Sequence, residues 1–321
     1  MEILDPTMAE LEPFLEPQDK RRIVPAFMYQ DQVIEYFHGD GKNKGQVLPW
    51  SNTHHHIHLR PNEVSVWAGV NGHGKSLVLN QVMLAVMAQG AKSCIASFEM
   101  TPMQTMQRMT RQAVGANVPT VEAIKHFHDE WTDGRLWVYD QMNSVNPHTL
   151  LAVIRYCRYA IGMDHFVIDS LMKCGIGADD YNKQKWFINE LCVIAKDTGM
   201  HIHLVAHSRK KETEKTVMDK FDIKGTSEIT DMVDNVFTVW RNKKKEDAKR
   251  DPEPDMKLLS MPDAIVNCDK QRHGEWEGKI PLWLQPESMQ FMGREHGRAV
   301  TIYELESHLM AQDSTGVARS G

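Results

Sequence analysis

Cysteine is scarce in this chain. The five residues, Cys94, Cys157, Cys174, Cys192 and Cys268, are odd in number, far apart and without a C-x-x-C pair. That pattern excludes a disulfide framework and a zinc ribbon and points to a reducing compartment. No apolar run approaches the roughly 20 residues that cross a bilayer, and the first residues, MEILDPTMAELEPFLEP, are acidic rather than the basic n-region of a secretory signal. A cytoplasmic protein with no membrane partner is therefore expected. Solenoid-period repeats and low-complexity tracts are missing as well. So is an excess of basic charge: 37 Lys and Arg face 43 Asp and Glu, a net charge of -6. A globally basic nucleic-acid binder is excluded, although a local basic surface is not.

The 321 residues, 41% hydrophobic and 25% charged, have the balance of a globular chain with ample core. Length alone allows one large or two ordinary domains. The first forty residues mix Pro, Glu and short apolar groups, with one expected helix over 30 to 38, before a Gly/Lys-rich break at GDGKNKGQ. From Glu63 onward β-branched runs alternate with helical stretches. VSVWA, SCIASF, RLWVYD, HFVIDS, HIHLVAH and NVFTVW predict strands, and helices are predicted to start near Lys75, Thr101, Asn146, Asn182 and Ser227. This alternation implies βαβ units, a mainly parallel central sheet and an α/β fold. AIVNCDK and PLWLQPE, separated by RHGEWEG, read as a hairpin at the sheet edge. The charged stretch 242 to 255, NKKKEDAKRDPEPD, reads as a solvated excursion, and a short helix is expected around Tyr303 to Met310.

Gly69-Val70-Asn71-Gly72-His73-Gly74-Lys75-Ser76 matches G-x-x-x-x-G-K-[ST], with a predicted strand before it and a predicted helix after it. The glycines let backbone N–H groups turn onto phosphate oxygens at a helix N-terminus. Lys75 would reach the β and γ phosphates, and the Ser76 hydroxyl can ligate Mg2+. ATP or GTP is the expected ligand. In HFVIDS a hydrophobic strand ends in Asp169, the usual second holder of Mg2+ beside such a loop. Many ATPases place a Glu directly after that Asp, but Ser170 stands here. The water-activating base is therefore sought in Glu99, after strand SCIASF and before a helix with Thr101 as N-cap and Pro102 at N1. Parallel strands expose their carboxyl ends on one edge, so Lys75, Glu99, Asp169 and His207 should converge there.

Five motifs in order, GVNGHGKS, FEMTP, VIDS, LVAHSRK, and DIKGTSEITDMVDNVFTVWRNK followed by CDKQRHGEWEG, resemble the DnaB-type hexameric replicative helicases, including phage primase-helicases and the mitochondrial Twinkle helicase. The resemblance covers roughly residues 60 to 290. It implies a RecA-like ATPase with helices on both faces of the sheet, over residues 61–292. Residues 1–60 would be an N-terminal extension whose helix packs on a neighbouring subunit, and 293–321 a tail. It further implies Glu99 as general base and His207 as sensor of the γ-phosphate, from a strand between those of the phosphate loop and Asp169. Arg241 would pack near the adenine. Lys270 and Arg272 resemble the family's K-x-R, which reaches the γ-phosphate of the neighbouring subunit. Independently, residues two apart on a strand face one side, so this pair can present two cations to one triphosphate.

Residues 208 to 228 are rich in Lys and Arg and lack an apolar period. In the resembled family such loops line the central channel and hold single-stranded DNA. Arg209, Lys210 and Lys211 fit one loop, and Lys224, Gly225, Thr226 and Ser227 a second. No aromatic platform is interleaved, which favours phosphate tracking over base stacking. The expected whole is a hexameric 5′-3′ motor using ATP and Mg2+ at a replication fork, phage-encoded on the resemblance, and either a minimal helicase, one working with a separate primase or polymerase, or a piece of a larger protein. The competing readings are a RecA-type recombination or annealing ATPase, a helicase-loader-like nucleotide-gated assembly protein and a KaiC-like signalling ATPase. His54, His55, His56 and His58 read as a surface cluster without zinc-ligand spacing, and Asp179 and Asp180 as loop solubilisers rather than nuclease ligands.

Overall fold

The structure, a computed structural model, describes residues 7–14, 25–39, 45–177, 180–207 and 227–316. Its strands are β1 (Gln46–Val47), β2 (His58–Leu59), β3 (Val64–Gly69), β4 (Ser93–Ser97), β5 (Leu136–Val138), β6 (His165–Asp169), β7 (His201–His207), β8 (Asn235–Arg241), β9 (Ala264–Gln271), β10 (Gly278–Gln285) and β11 (Gln290–Met292). Its α-helices are α1 (Met8–Leu11), α2 (Gln30–His38), α3 (Lys75–Ala88), α4 (Pro102–Val114), α5 (Val121–Lys125), α6 (Pro147–Tyr156), α7 (Tyr181–Thr198), α8 (Ser227–Met232), α9 (Lys243–Ala248), α10 (Met256–Ser260) and α11 (Ile302–Gly316).

Nine strands form one sheet in the order β11-β10-β9-β8-β3-β7-β6-β4-β5. From β8 to β5 every pairing is parallel, while β9, β10 and β11 add antiparallel at one edge. The predicted hairpin is thus the first part of a three-stranded meander, because the turn after β10 brings Gln290–Met292 back alongside it. β7 lies between β3 and β6, as the resemblance implied for the strand of His207.

Strand alternation divides the core in two. Val64, Val66 and Ala68 of β3, Phe166 and Ile168 of β6, and Ile202, Leu204 and Ala206 of β7 face a layer containing α6, α7 and α8. Trp67, Val167 and Val205, one step out of phase, face α3, α4 and α11. With both faces covered, these strands are apolar on both sides, the mark of a buried parallel sheet. α3 is apolar nearly all round and almost wholly buried. Several helix starts follow local chemistry. Thr101 and Gln104 form a reciprocal capping box ahead of Pro102, and Asn146 caps α6 ahead of Pro147. Asp180 caps α7 by accepting from the Lys183 N–H, so it serves the helix start; Asp179 lies outside the described residues.

The charged stretch 242 to 255 differs from its solvated reading. α9 docks on the fold because Asp263, at the foot of β9, accepts hydrogen bonds from both Lys245 Nζ (3.0 Å) and Lys249 Nζ (2.8 Å). Lys245 also donates to the Met261 carbonyl and is buried. Three lysines in a row look solvent-seeking, yet Lys245 finds a half-buried carboxylate, which makes its own burial tolerable. In the histidine cluster His55 and His56 are exposed, while His54 Nε2 bonds the Leu48 carbonyl and His56 stacks on Trp276; among the described residues no group of three metal-capable side chains exists. No helix among them is long and apolar enough to cross a membrane.

Candidate active site

Residues 69 to 76 wrap the carboxyl end of β3 and lead into α3. Gly69 is required by crowding, since a Cβ there would sit 2.5 Å from the Val239 carbonyl on neighbouring β8. Gly74 holds φ +86°, the left-handed region that glycine enters freely, immediately before α3. Lys75 is buried, and its ammonium donates to the carbonyls of Gly69 (3.0 Å) and Val70 (3.2 Å). Burial lowers its pKa, against the opposing pull of Asp169 and Glu99. Asn71 is exposed, whereas the buried His73 accepts the backbone N–H of Arg241 through Nδ1. Sequence motifs treat His73 as a free spacer; here it ties the loop to β8.

The expected convergence occurs. The Ser76 hydroxyl donates to Asp169 Oδ2 at 2.5 Å. Glu99 Oε1 lies 2.8 Å from the Ser170 hydroxyl and 3.2 Å from His207 Nε2, and His207 Nδ1 lies 3.4 Å from Lys75 Nζ. Four strand ends, β3, β4, β6 and β7, thus bring these groups to one edge of the sheet. Burial raises the pKa of Asp169, opposed chiefly by the Ser76 hydrogen bond. Glu99 is half-exposed and moves the other way: the His207 hydrogen bond, against burial and aided by Ser170, holds its carboxyl down to about 2. A hydroxyl beside a buried carboxylate suits Mg2+, a hard ion that takes oxygen ligands and completes its octahedron with water and phosphate. Ser76 and Asp169 would hold it.

The cleft over these residues encloses about 470 Å3 and is also lined by Arg108 of α4. Arg108 escaped the sequence reading because an arginine on an amphipathic helix carries no local signature. A second cleft of about 410 Å3 adjoins the first across Gly72, Gly74, Leu77 and Arg241 and is closed by Phe291 and Leu284. Arg241 divides the two: its Nη1 donates to the Gly72 carbonyl and its Nε pairs with Glu246.

Lys270 and Arg272 stand apart from this edge. Lys270 pairs with Val236 near the start of β8, the end opposite Arg241. The length of β8, seven residues at about 3.3 Å each, separates that point from the chain's own phosphate loop. A bulge shifts the register between Val236 and Phe237, so that the ladder steps over Asp269. Asp269 instead accepts from Thr238 and Asn267. Beyond the bulge Lys270 and Arg272 share one side and grip the end of α8. Lys270 Nζ donates to the carbonyls of Thr230, Asp231 and Val233. Arg272 donates to those of Asp231 and Met232 and pairs with Asp234 at 3.2 Å. Cations at a helix C-terminus are favourable there. Of the expected DNA contacts, Arg209, Lys210, Lys211, Lys224, Gly225 and Thr226 lie outside the described residues, and Ser227 opens α8.

A parallel sheet with a phosphate loop at its carboxyl edge and a strand-end carboxylate across from it defines a phosphate-loop ATPase core of the RecA-like kind. A family model described as an AAA domain matches residues 49–213, just over half of the chain, and the chain belongs to that family. Among solved structures it is similar to one described as a DnaB-like replicative helicase and its interactions with primase: 14% identity, TM-score 0.67, covering 89% of this chain and 70% of that one. It is also similar to a second solved structure, described as an ATPase domain, at 14% identity and TM-score 0.64, covering 84% of this chain and 99% of that one. The fold is that of the DnaB-like helicase ATPase domain.

Proposed function

We propose that this chain is the ATP-driven motor of a ring-forming replicative DNA helicase, moving 5′ to 3′ on single-stranded DNA as a hexamer. The observation that carries the reading is the meeting of Lys75, Glu99, Asp169 and His207 at one sheet edge. In it Lys75 and the loop N–H groups bind the triphosphate, and Ser76 and Asp169 would hold Mg2+, which would supply compensating positive charge. Glu99 orients and deprotonates the attacking water. His207, bonded to both Lys75 and Glu99, registers the γ-phosphate. The adjoining cleft beside Arg241 takes the adenine.

Lys270 and Arg272 serve a neighbour's site. Their position a full strand length from the chain's own loop supports this, because they cannot reach it without crossing the sheet. α2 supports assembly as well: Phe27, Tyr29, Val33, Ile34 and Phe37 on or just before it are exposed, an apolar surface suited to packing on the next subunit. An ATPase core of 61–292 is flanked by 1–60 and 293–321, which add Leu48, Trp50, Ile57, Leu59, Ile302 and Leu309 to the same apolar core. Arg209, Lys210, Lys211, Lys224, Gly225, Thr226 and Ser227 line the channel, where sixfold repetition concentrates a few cations in a chain of net charge -6. The test is unwinding of forked DNA with ATP and Mg2+ on substrates bearing a 5′ or a 3′ tail. Unwinding from the 5′ tail is expected; ring formation without unwinding would point to a loader.

A further inference from the structure

Ser170 stands directly after the strand-end Asp169, where many ATPases carry their own glutamate. Its side chain is too short to act on a water in the cleft, and it is fully buried. It reaches instead to two groups from other strands: its Oγ lies 2.8 Å from Glu99 Oε1 and 3.2 Å from His207 Nε2.

Donor arithmetic assigns the protons. The Lys75 ammonium has only donors, so His207 Nδ1 accepts from it and the neutral ring carries its proton on Nε2. That proton points to Ser170 Oγ and Glu99 Oε1, both at 3.2 Å. The ionised Glu99 carboxylate only accepts, so the single Ser170 proton goes to it. The result is a directed network in which Lys75 donates to His207, His207 faces both Ser170 and Glu99, and Ser170 donates to Glu99, with no two donors facing each other. Such chains polarise and rigidify their members.

We propose that Ser170 is a positioning residue for hydrolysis. Its buried hydroxyl, fixed to the tip of β6, holds Oε1 of Glu99 and couples that carboxylate to the phosphate-contacting pair Lys75 and His207, leaving Oε2 for the attacking water. This rests on Glu99 being the base. It explains how a half-exposed glutamate on a different strand from the metal-holding Asp169 keeps a fixed orientation.

The test is single-turnover and steady-state ATP hydrolysis by the full chain with single-stranded DNA, using wild type, Ser170→Ala, Glu99→Gln and the double variant. A fluorescent ATP analogue measures binding, and thermal melting checks folding. Ser170→Ala is expected to lower kcat about tenfold, the scale of loss when an oriented group is released, with KM and analogue affinity within about twofold of wild type. In the Glu99→Gln background the same change should have no further effect. Ser170→Thr, which keeps the hydroxyl, should retain more turnover than Ser170→Ala. Wild-type kcat in a folded Ser170→Ala protein overturns the proposal, and so does a rise in KM alone or an equal loss in the Glu99→Gln background. Wild-type turnover by Glu99→Gln itself would remove the base assignment, a failure distinct from the others.

Discussion

In the proposed motor Lys75 and Glu99 divide the chemistry between binding and turnover, and their variants should separate the two. Lys75→Ala removes a buried cation whose position is set by the Gly69 and Val70 carbonyls, so nucleotide binding measured by calorimetry should be lost. Glu99→Gln keeps the shape of the side chain and should bind ATP normally while turnover falls about 100-fold or more. Arg108 adds a third case: Arg108→Ala should weaken ATP binding about tenfold, the worth of one charge-assisted hydrogen bond, and unchanged affinity would remove it from the site. What could be read from residues alone follows from locality. The phosphate loop is eight consecutive residues, so its glycine pattern carries its own geometry. Ser170 was legible only as a departure from a pattern, because its partners lie 71 and 37 positions away. The roles of His73 and Arg108 depend on which element packs against them.

At the level of elements, apolar runs bounded by turns revealed every strand from β3 to β10, most clearly β3, β4, β6, β7 and β8, which the parallel part of the sheet buries on both faces. The helix starts were legible where a cap was present, as at Thr101 and Asn146. α9 was not, because composition cannot anticipate that Asp263 waits 18 residues from Lys245. Asp263→Ala should therefore destabilise the fold by about 3 kcal/mol in urea unfolding, leaving a buried ammonium unpaired; a change near zero would mean that Lys245 escapes to solvent. The strands also carry a buried polar network far from the phosphate edge. Trp67 Nε1 donates to His203 Nδ1, His203 Nε2 to His165 Nδ1, and His165 Nε2 to Gln46 Oε1, while His201 bonds the Arg60 carbonyl and Ser65. Burial pushes His165 and His201 down to about 3 and His203 well below its ordinary value. All three stay neutral in the fold, whereas the unfolded chain takes up their protons below about pH 6.5. Stability is therefore full above that pH and lost as pH falls from 6.5 toward 3, by up to about 1.4 kcal/mol per pH unit for each histidine. Urea midpoints at pH 7.5 and 5 measure this, and equal midpoints would contradict it.

For the whole molecule, the charge of -6 and the scarcity of basic excess describe a single chain, whereas the proposed ring gathers its cations in one channel. Replacing Lys210 and Lys211 by Ala should weaken single-strand binding and flatten its dependence on salt, since each phosphate contact releases a counterion. Lys270 and Arg272 lie far from their own phosphate loop, and the proposed ring makes hydrolysis a property of two chains. Complementation tests that claim most directly. Lys75→Ala subunits cannot bind nucleotide, and Arg272→Ala subunits cannot complete a neighbour's site, so each alone should be nearly inactive. A one-to-one mixture, annealed to exchange subunits, pairs an intact loop with an intact arginine at about one interface in four. ATP hydrolysis should reappear in the mixture at about that fraction of the wild-type rate. No recovery in rings verified to be mixed, or full activity of Arg272→Ala by itself, would contradict hydrolysis shared between subunits.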